Sequence, residues 1–247
     1  MNRLKKVAMT GAAIGLMLAN IGAVAKAADT FSLSPNVYDP ADACSGIEAK
    51  WDSTTGNPLP SILLTKPCPT ATNAASQVDI TTPLEETQVN NLTELNFDVK
   101  TDEWCGAGAP RFNLQLDQAG LVNAFLGCTY GTHTDLGNGW THVVFSQTDI
   151  QDAVTTAGAD YDSATLYDLY IIFDEGDDLT GHGTPGMTHI DNISVNGESV
   201  GSPVTGSKNA CKNGGWINMS NPTFKNQGDC VSYFQSNSHA TGNRKDN

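Results

Sequence analysis
Between Leu169 and Gly197 the chain reads as two strands joined by an acidic, glycine-rich loop, and that pairing constrains the fold more than any other stretch. Leu169, Ile171 and Phe173 alternate with Tyr170, Ile172 and Asp174. Nearly every position is apolar, the pattern of a strand covered on both faces or set in a sandwich. The loop gathers Asp174, Glu175, Asp177 and Asp178 with Gly176, Gly181, Gly183, Pro185 and Gly186. The outgoing strand changes apolar phase between Ile190 and the Ile193/Val195 pair, which predicts a β-bulge near Asp191–Asn192. Asn196-Gly197 is a tight-turn signal at its end.

The rest of the chain repeats this theme. Strands are expected at Phe31 to Val37, Ile47 to Trp51, Ser61 to Leu64, Leu121 to Cys128 and Thr141 to Phe145. Leu95, Phe97 and Val99 alternate with polar residues, as in a strand with one wet face, and Phe112, Leu114 and Leu116 do the same. Thr70 to Gln77 reads as a polar loop. One short helix is expected, with Ser146 as N-cap, Asp149 three residues on, Ile150, Ala153 and Val154 inward, and a stop near Gly158. Short strands separated by turn signals, without α/β alternation, mean an all-β sandwich or barrel over 28–200.

Met1 to Ala27 reads as a signal peptide: Arg3, Lys5 and Lys6, then a mostly apolar run, then Ala25-Lys26-Ala27. Beyond it no apolar run is long enough to span a bilayer, so the expected location is extracellular. Its removal takes away four positive charges and no negative ones, moving the formal charge from −14 to −18. That balance argues against nucleic acid and anionic membrane surfaces, and it is compatible with Ca²⁺, neutral sugars or solubility alone. Six cysteines in an exported chain favour disulfides. They fall as neighbours in sequence, Cys44 with Cys68, Cys105 with Cys128 and Cys211 with Cys230, and pairing by proximity is expected.

Residues 201–208, GSPVTGSK, read as a linker. Residues 209–236 then form a small unit closed by Cys211 and Cys230, with Trp216, Phe224, Tyr233 and Phe234 as its miniature core. A charged, disordered tail is expected over 237–247. Lys208, Lys212 and Lys225 give the unit a basic character that suits a protein partner.

The strand pattern ending in GMTHIDNISVNG, with Asn138-Gly139-Trp140-Thr141 leading into another strand, resembles the galactose-binding-like jelly rolls found in many carbohydrate-binding modules. The likeness covers Phe31 to Gly197. It implies a jelly-roll β-sandwich and a structural Ca²⁺ at its edge, held by backbone carbonyls and a closing-strand carboxylate. Asp191 matches that carboxylate, with Asp39 or Glu48 as an acidic partner. The stretch C-x-x-GGW…FKNQGDCVSY resembles C-terminal segments of assorted bacterial secreted proteins.

Other constellations are weaker. The Asp174–Asp178 cluster lacks EF-hand spacing and reads as a solvated loop. His182 and His189 could join Asp174 and Asp191 at a metal, but chance exposure is the simpler reading. Sugar rings present apolar C–H faces that stack on aromatic rings, so Trp51, Trp104, Tyr130 and Tyr161, all in or beside turns or strand ends, are the candidate ligand contacts. Trp140 reads as core. A Cys105–Cys128 bridge would bring Trp104 and Tyr130 together. The expected function is non-catalytic extracellular binding of a glycan or cell-surface polymer. The alternatives are an adhesive surface protein that binds another protein and, last, a glycoside hydrolase.

Overall fold
The computed structural model describes residues 31–199, 211, 216 and 224–235. The leader, the linker over 201–208 and the tail over 237–247 lie outside them. Among the described residues twelve strands form two antiparallel sheets in a jelly-roll sandwich. The five-stranded sheet runs β1 (Ser32–Tyr38), β4 (Ala75–Thr81), β10 (Thr165–Phe173), β6 (Arg111–Asp117), β7 (Leu121–Gly127). The seven-stranded sheet runs β2 (Glu48–Asp52), β3 (Ser61–Thr65), β11 (Met187–Val195), β5 (Glu94–Lys100), β9 (Trp140–Ser146), β8 (Thr132–Asp135), with β12 (Glu198–Ser199) paired to β11.

The core follows from period-two alternation. Leu33, Val78, Ile80, Phe112, Leu114, Leu116, Leu169, Ile171 and Phe173 point inward from one sheet; Ile62, Leu64, Leu95, Phe97, Val99, Val143 and Phe145 meet them from the other. At the centre, Phe112 of one sheet touches Phe97 and Phe145 of the other, with ring centroids 5.4 and 5.8 Å away. The helix α1 (Gln147–Thr156) starts on a capping box between Ser146 and Asp149, buries Ile150 and Val154, and packs against β7 and β9. The bulge falls where the phase shift put it: the β11–β5 register jumps between Asp191↔Asp98 and Ser194↔Asn96, and Asn192 has φ +46°. Asn196 and Gly197, at φ +53° and +79°, make the closing turn.

Several expectations change. Residues 75–77 belong to β4, which sits between β1 and β10 rather than in a loop. The strand at β8 has four exposed residues and no apolar phase that would mark it. The strand β10 is covered on one face alone, since Tyr170 and Ile172 stay half-exposed on the outside of the five-stranded sheet. The reverse holds for β5: its polar phase is not wet, because Asn96 and Asp98 are buried.

All three disulfides join the expected neighbours, Cys44–Cys68, Cys105–Cys128 and Cys211–Cys230. Cys211 and Cys230 cluster with Phe224, Trp216 and Val231, while nothing is described for the side chains of Tyr233 and Phe234. The helix α2 (Gln227–Gln235) carries Cys230.

At one end of the sandwich Lys66, 1 % exposed, donates from Nζ to the carbonyls of Thr70, Thr72 and Asp174 at 3.0, 2.9 and 2.7 Å. Burial pulls its pKa down, while the charges of Asp174 and Asp178 oppose that fall. The ammonium thus ties the 66–74 loop to the end of β10. Replacing it leaves three carbonyls without their donor. Lys66→Met is expected to cost roughly 3 kcal/mol, since buried hydrogen bonds to charged groups are the expensive ones to remove. A lower urea midpoint at unchanged slope would verify this.

Candidate ligand-binding face
The two outer faces of the sandwich differ in chemistry. On the seven-stranded sheet the polar residues are locked beneath a loop. Asp98 pairs with Nδ1 of His142 at 2.6 Å and accepts from the side-chain amides of Asn57 at 3.1 Å and Asn192 at 2.7 Å. Asp191, directly opposite Asp98 across the ladder, accepts from the backbone N–H of Asn57 at 2.5 Å and of Asn192 at 2.7 Å. Burial, aided by the charge of Asp98, pushes Asp191 up to about 6. The Asn192 side-chain amide also donates to the Asn57 carbonyl and closes the set.

Further along the same face His189 is buried between two carboxylates. Its Nδ1 lies 2.8 Å from Glu103 and its Nε2 3.1 Å from Asp52. Burial alone would lower its pKa, but the hydrogen bonds and charges of Glu103 and Asp52 outweigh that and raise it. Glu103 in turn is raised by burial and brought below its ordinary value by His189. This corrects the expectation of chance exposure: His189 is a buried ion-pair centre, and neither Asp174 nor Asp191 approaches it through a hydrogen bond among the described residues.

The five-stranded sheet shows an open counterpart. One row across it reads Ser34, Asp79, Tyr170, Asn113, Phe125, and the next reads Asn36, Gln77, Ile172, Arg111. Asp168, Gln115 and Asn123 form a third. These side chains fix one another. Asp79 accepts from Asn36 and, at 2.9 Å, from Gln77. Arg111 binds both oxygens of Asp174 at 2.6 and 2.8 Å, donates to Asn113 at 2.9 Å, and stands 5.1 Å from the Phe125 ring centre. Asn113 donates to the Tyr170 hydroxyl at 3.1 Å, which leaves that hydroxyl's own proton to donate. Tyr38 and Phe125, 50 % and 53 % exposed, flank the rows. Beside Tyr38, Arg111 and Ile172 lies a cavity of about 530 Å³.

The aromatic residues singled out from the sequence are dispersed by the fold. Trp104, 2 % exposed, is held by a 2.5 Å bond from its indole N–H to Glu175 and by an edge contact from His182, so it offers no surface. Tyr161 is buried, with its hydroxyl on the Leu92 carbonyl. Trp51 is turned toward the core on edge strand β2, partly buried, and borders a small cavity with Leu59 and Pro60; its indole N–H has no partner among the described residues. Tyr130 stands 70 % exposed just after Cys128. The Cys105–Cys128 bridge therefore forms without bringing two free rings together. Trp140 is buried, but outside the main apolar cluster.

The three candidate calcium ligands do not converge. Asp39 caps its own turn through the backbone N–H groups of Ala43 and Cys44, Glu48 pairs with Lys50 at 2.6 Å, and Asp191 is engaged by Asn57 and Asn192. Among the described residues the one grouping of three His, Cys, Asp or Glu side chains within 4.8 Å is Cys105, Cys128 and His133, and its two sulfurs are joined as a disulfide. Asp191, Asp39 and Glu48 thus form no joint carboxylate cluster among the described residues. The acidic loop is likewise not simply solvated: Asp174 grips Arg111, Glu175 accepts from Trp104 and Ala109, and Asp178 accepts from Thr70.

Sequence reading missed the amide face. Its signal was present in the polar phase of the strands, Gln77-x-Asp79 on β4 and Arg111-x-Asn113-x-Gln115 on β6, where planar groups replace the Thr, Ser and Lys of an ordinary wet face.

Among solved structures the chain is similar to a family 28 carbohydrate-binding module described as specific for non-crystalline cellulose, with 18 % identity and a TM-score of 0.35 over 67 % of this chain and 86 % of that one. No family model matches the sequence, and no curated protein matches it.

The buried His189 makes stability depend on pH with a defined sign. Its folded pKa is raised above 6.5, so its contribution is full below that value and is lost as pH climbs through the raised one. Glu103 works the other way: its contribution is present above 4.5 and is lost as pH falls through its lowered value. His189→Gln is expected to cost roughly 3 kcal/mol at about pH 6 by removing the buried cation between Glu103 and Asp52, with Lys100, 3.3 Å away, left as the remaining cationic partner of Glu103. It should also flatten the alkaline loss of stability, as read from urea melts at about pH 6 and pH 8.

Proposed function
We propose that this chain is an extracellular carbohydrate-binding protein and that a glycan lies across the outer face of its five-stranded sheet. One observation carries the reading: two adjacent rows made mostly of planar side chains span the sheet, and six of them, Asn36, Gln77, Asp79, Arg111, Asn113 and Tyr170, are fixed by hydrogen bonds to one another. Sugars carry hydroxyls that both donate and accept, set at fixed angles on a rigid ring. Amide, carboxylate and guanidinium groups match adjacent hydroxyls two at a time. The half-exposed rings of Tyr38, Tyr170 and Phe125 suit the C–H faces between them. Side chains ordered before the ligand arrives lose little entropy when it binds.

Binding leads over hydrolysis because the face's carboxylates are already engaged. Asp79 is held by Asn36 and Gln77 and Asp174 by Arg111, which leaves Asp168, bonded to the backbone N–H of Leu169, as the one carboxylate of the rows without a side-chain partner among the described residues, whereas glycoside cleavage needs two carboxyl groups facing each other across the scissile bond. The apolar leader followed by a small-x-small site, together with three disulfides, supports an oxidising, extracellular setting. Among the described residues no helix is long and apolar enough to cross a membrane.

The test is affinity electrophoresis of the mature protein in a panel of soluble neutral polysaccharides, followed by calorimetry with oligosaccharides of whichever one retards it. Gln77→Ala and Tyr170→Ala are each expected to weaken binding about tenfold, the equivalent of roughly 1.4 kcal/mol. His142→Ala, on the opposite face, should bind as wild type. Absence of retardation in every neutral polysaccharide would count against a sugar ligand, and loss through His142→Ala alone would move the site to the other sheet.

A further inference from the structure
At its β7 edge the amide face does not end in open solvent. A cavity of about 600 Å³ lies between β7 and α1, inside the range of about 300–1,000 Å³ that ligand sites occupy. Two of its lining residues, Asn123 and Phe125, also belong to the rows described above, so the face and the cavity are continuous. Tyr130 stands on the near wall, and Asp152 and Thr156 on the helix.

The groove is built like a subsite. Tyr130 offers a ring that is 70 % exposed, while its backbone is anchored: it closes a single 3₁₀ turn that begins at the fully buried, disulfide-bonded Cys128. The opposite wall is a helix fixed by its capping box and by Ile150 and Val154 in the core. Asp149 is used in that cap, but Asp152 and Thr156, one turn apart, make no side-chain hydrogen bond among the described residues. The same is true of Tyr130 and Asn123. Among the described residues the ionisable lining groups besides Tyr130 are Asp149 and Asp152, so the Asp152 carboxylate is available to hydroxyl donors and anionic sugars are repelled.

Length decides what such a groove is for. Four interstrand steps separate β1 from β7, about 19 Å in all, so a short oligosaccharide is covered by the face and a longer one overhangs β7. We infer that the β7–α1 groove is a further subsite for the overhanging sugar of a neutral glycan, which stacks on Tyr130 and donates hydroxyl hydrogen bonds to Asp152. This inference rests on the glycan reading of the face and adds a length preference to it.

Calorimetry over a ladder of neutral oligosaccharides, cut from the polysaccharide that the protein binds, tests it. For the wild type, affinity should rise with length and gain a last increment beyond the length that fills the face. Tyr130→Ala and Asp152→Asn should remove that increment, about fivefold, and leave the shortest binding oligosaccharide unaffected. Both side chains are exposed, so neither change threatens the fold; Tyr170→Ala, by contrast, should weaken every length alike. A wild type that binds while Tyr130→Ala keeps the same length dependence overturns the groove and spares the face. Equal losses at all lengths in Tyr130→Ala also overturn it. A wild type that binds no member of the ladder overturns both.

Discussion
Three phenylalanine rings set the spacing on which the rest of this sandwich depends. Phe97 and Phe145 come from one sheet, Phe112 from the other, and their centroids lie 5.4 to 6.1 Å apart at tilted or edge-on angles. Rings this large fill the interlayer gap and prefer those angles, so both sheets are held at one distance and in one phase. Once Phe97 points inward, Asn96 and Asp98 must point outward; once Phe112 does, Arg111 and Asn113 must. Everything polar on the two outer faces inherits its place from this contact.

What distinguishes those faces is whether something covers them. Over the seven-stranded sheet the 53–60 loop descends, and Asn57 spends its backbone and side chain on Asp191 and Asp98. The groups there satisfy one another and a ligand would have to break them. Over the five-stranded sheet the hydrogen bonds lie along the surface, between neighbouring strands in Asn36–Asp79 and Asn113–Tyr170 and along one strand in Gln77–Asp79 and Arg111–Asn113. Such lateral bonds fix orientation without roofing the surface. A rigid surface that remains accessible is what separates a binding face from a second core.

The period-two and capping signals were legible in the sequence because they are local. The apolar phase of β5 and β6, the bulge at Asp191–Asn192, the Asn196-Gly197 turn and the Ser146/Asp149 cap each depend on residues a few positions apart. The nearest-neighbour disulfides also appeared as expected. Solvent exposure was not legible, since it depends on which distant loop lands where. Trp104 sits beside a disulfide at a strand end and looks free, yet Glu175 and His182 arrive from 70 or more residues away to enclose it. His189 looks like a loop histidine until Glu103 and Asp52 close on it. The strand β4 escaped notice because Ala75, Ser76 and Gln77 carry little apolar signal, although Val78 and Ile80 continue the alternation.

The acidity of the chain also has a structural explanation that bulk charge conceals. An all-β domain with long irregular connections leaves many backbone N–H groups outside the ladders, and each needs an acceptor. Carboxylates supply them repeatedly here. Asp39 takes two from its turn, Asp191 takes Asn57 and Asn192, Asp178 takes Thr70, Glu175 takes Ala109, and Glu103 takes His189. A carboxylate can accept several bonds at once, so one acid closes a loop that would otherwise require a strand or a bound ion. The positive counterpart is Lys66, whose ammonium gathers three carbonyls much as a metal ion would. With loops closed by side chains in both senses, these acids are committed to holding the frame, and the outer face of the five-stranded sheet carries mainly amides, rings and a single guanidinium.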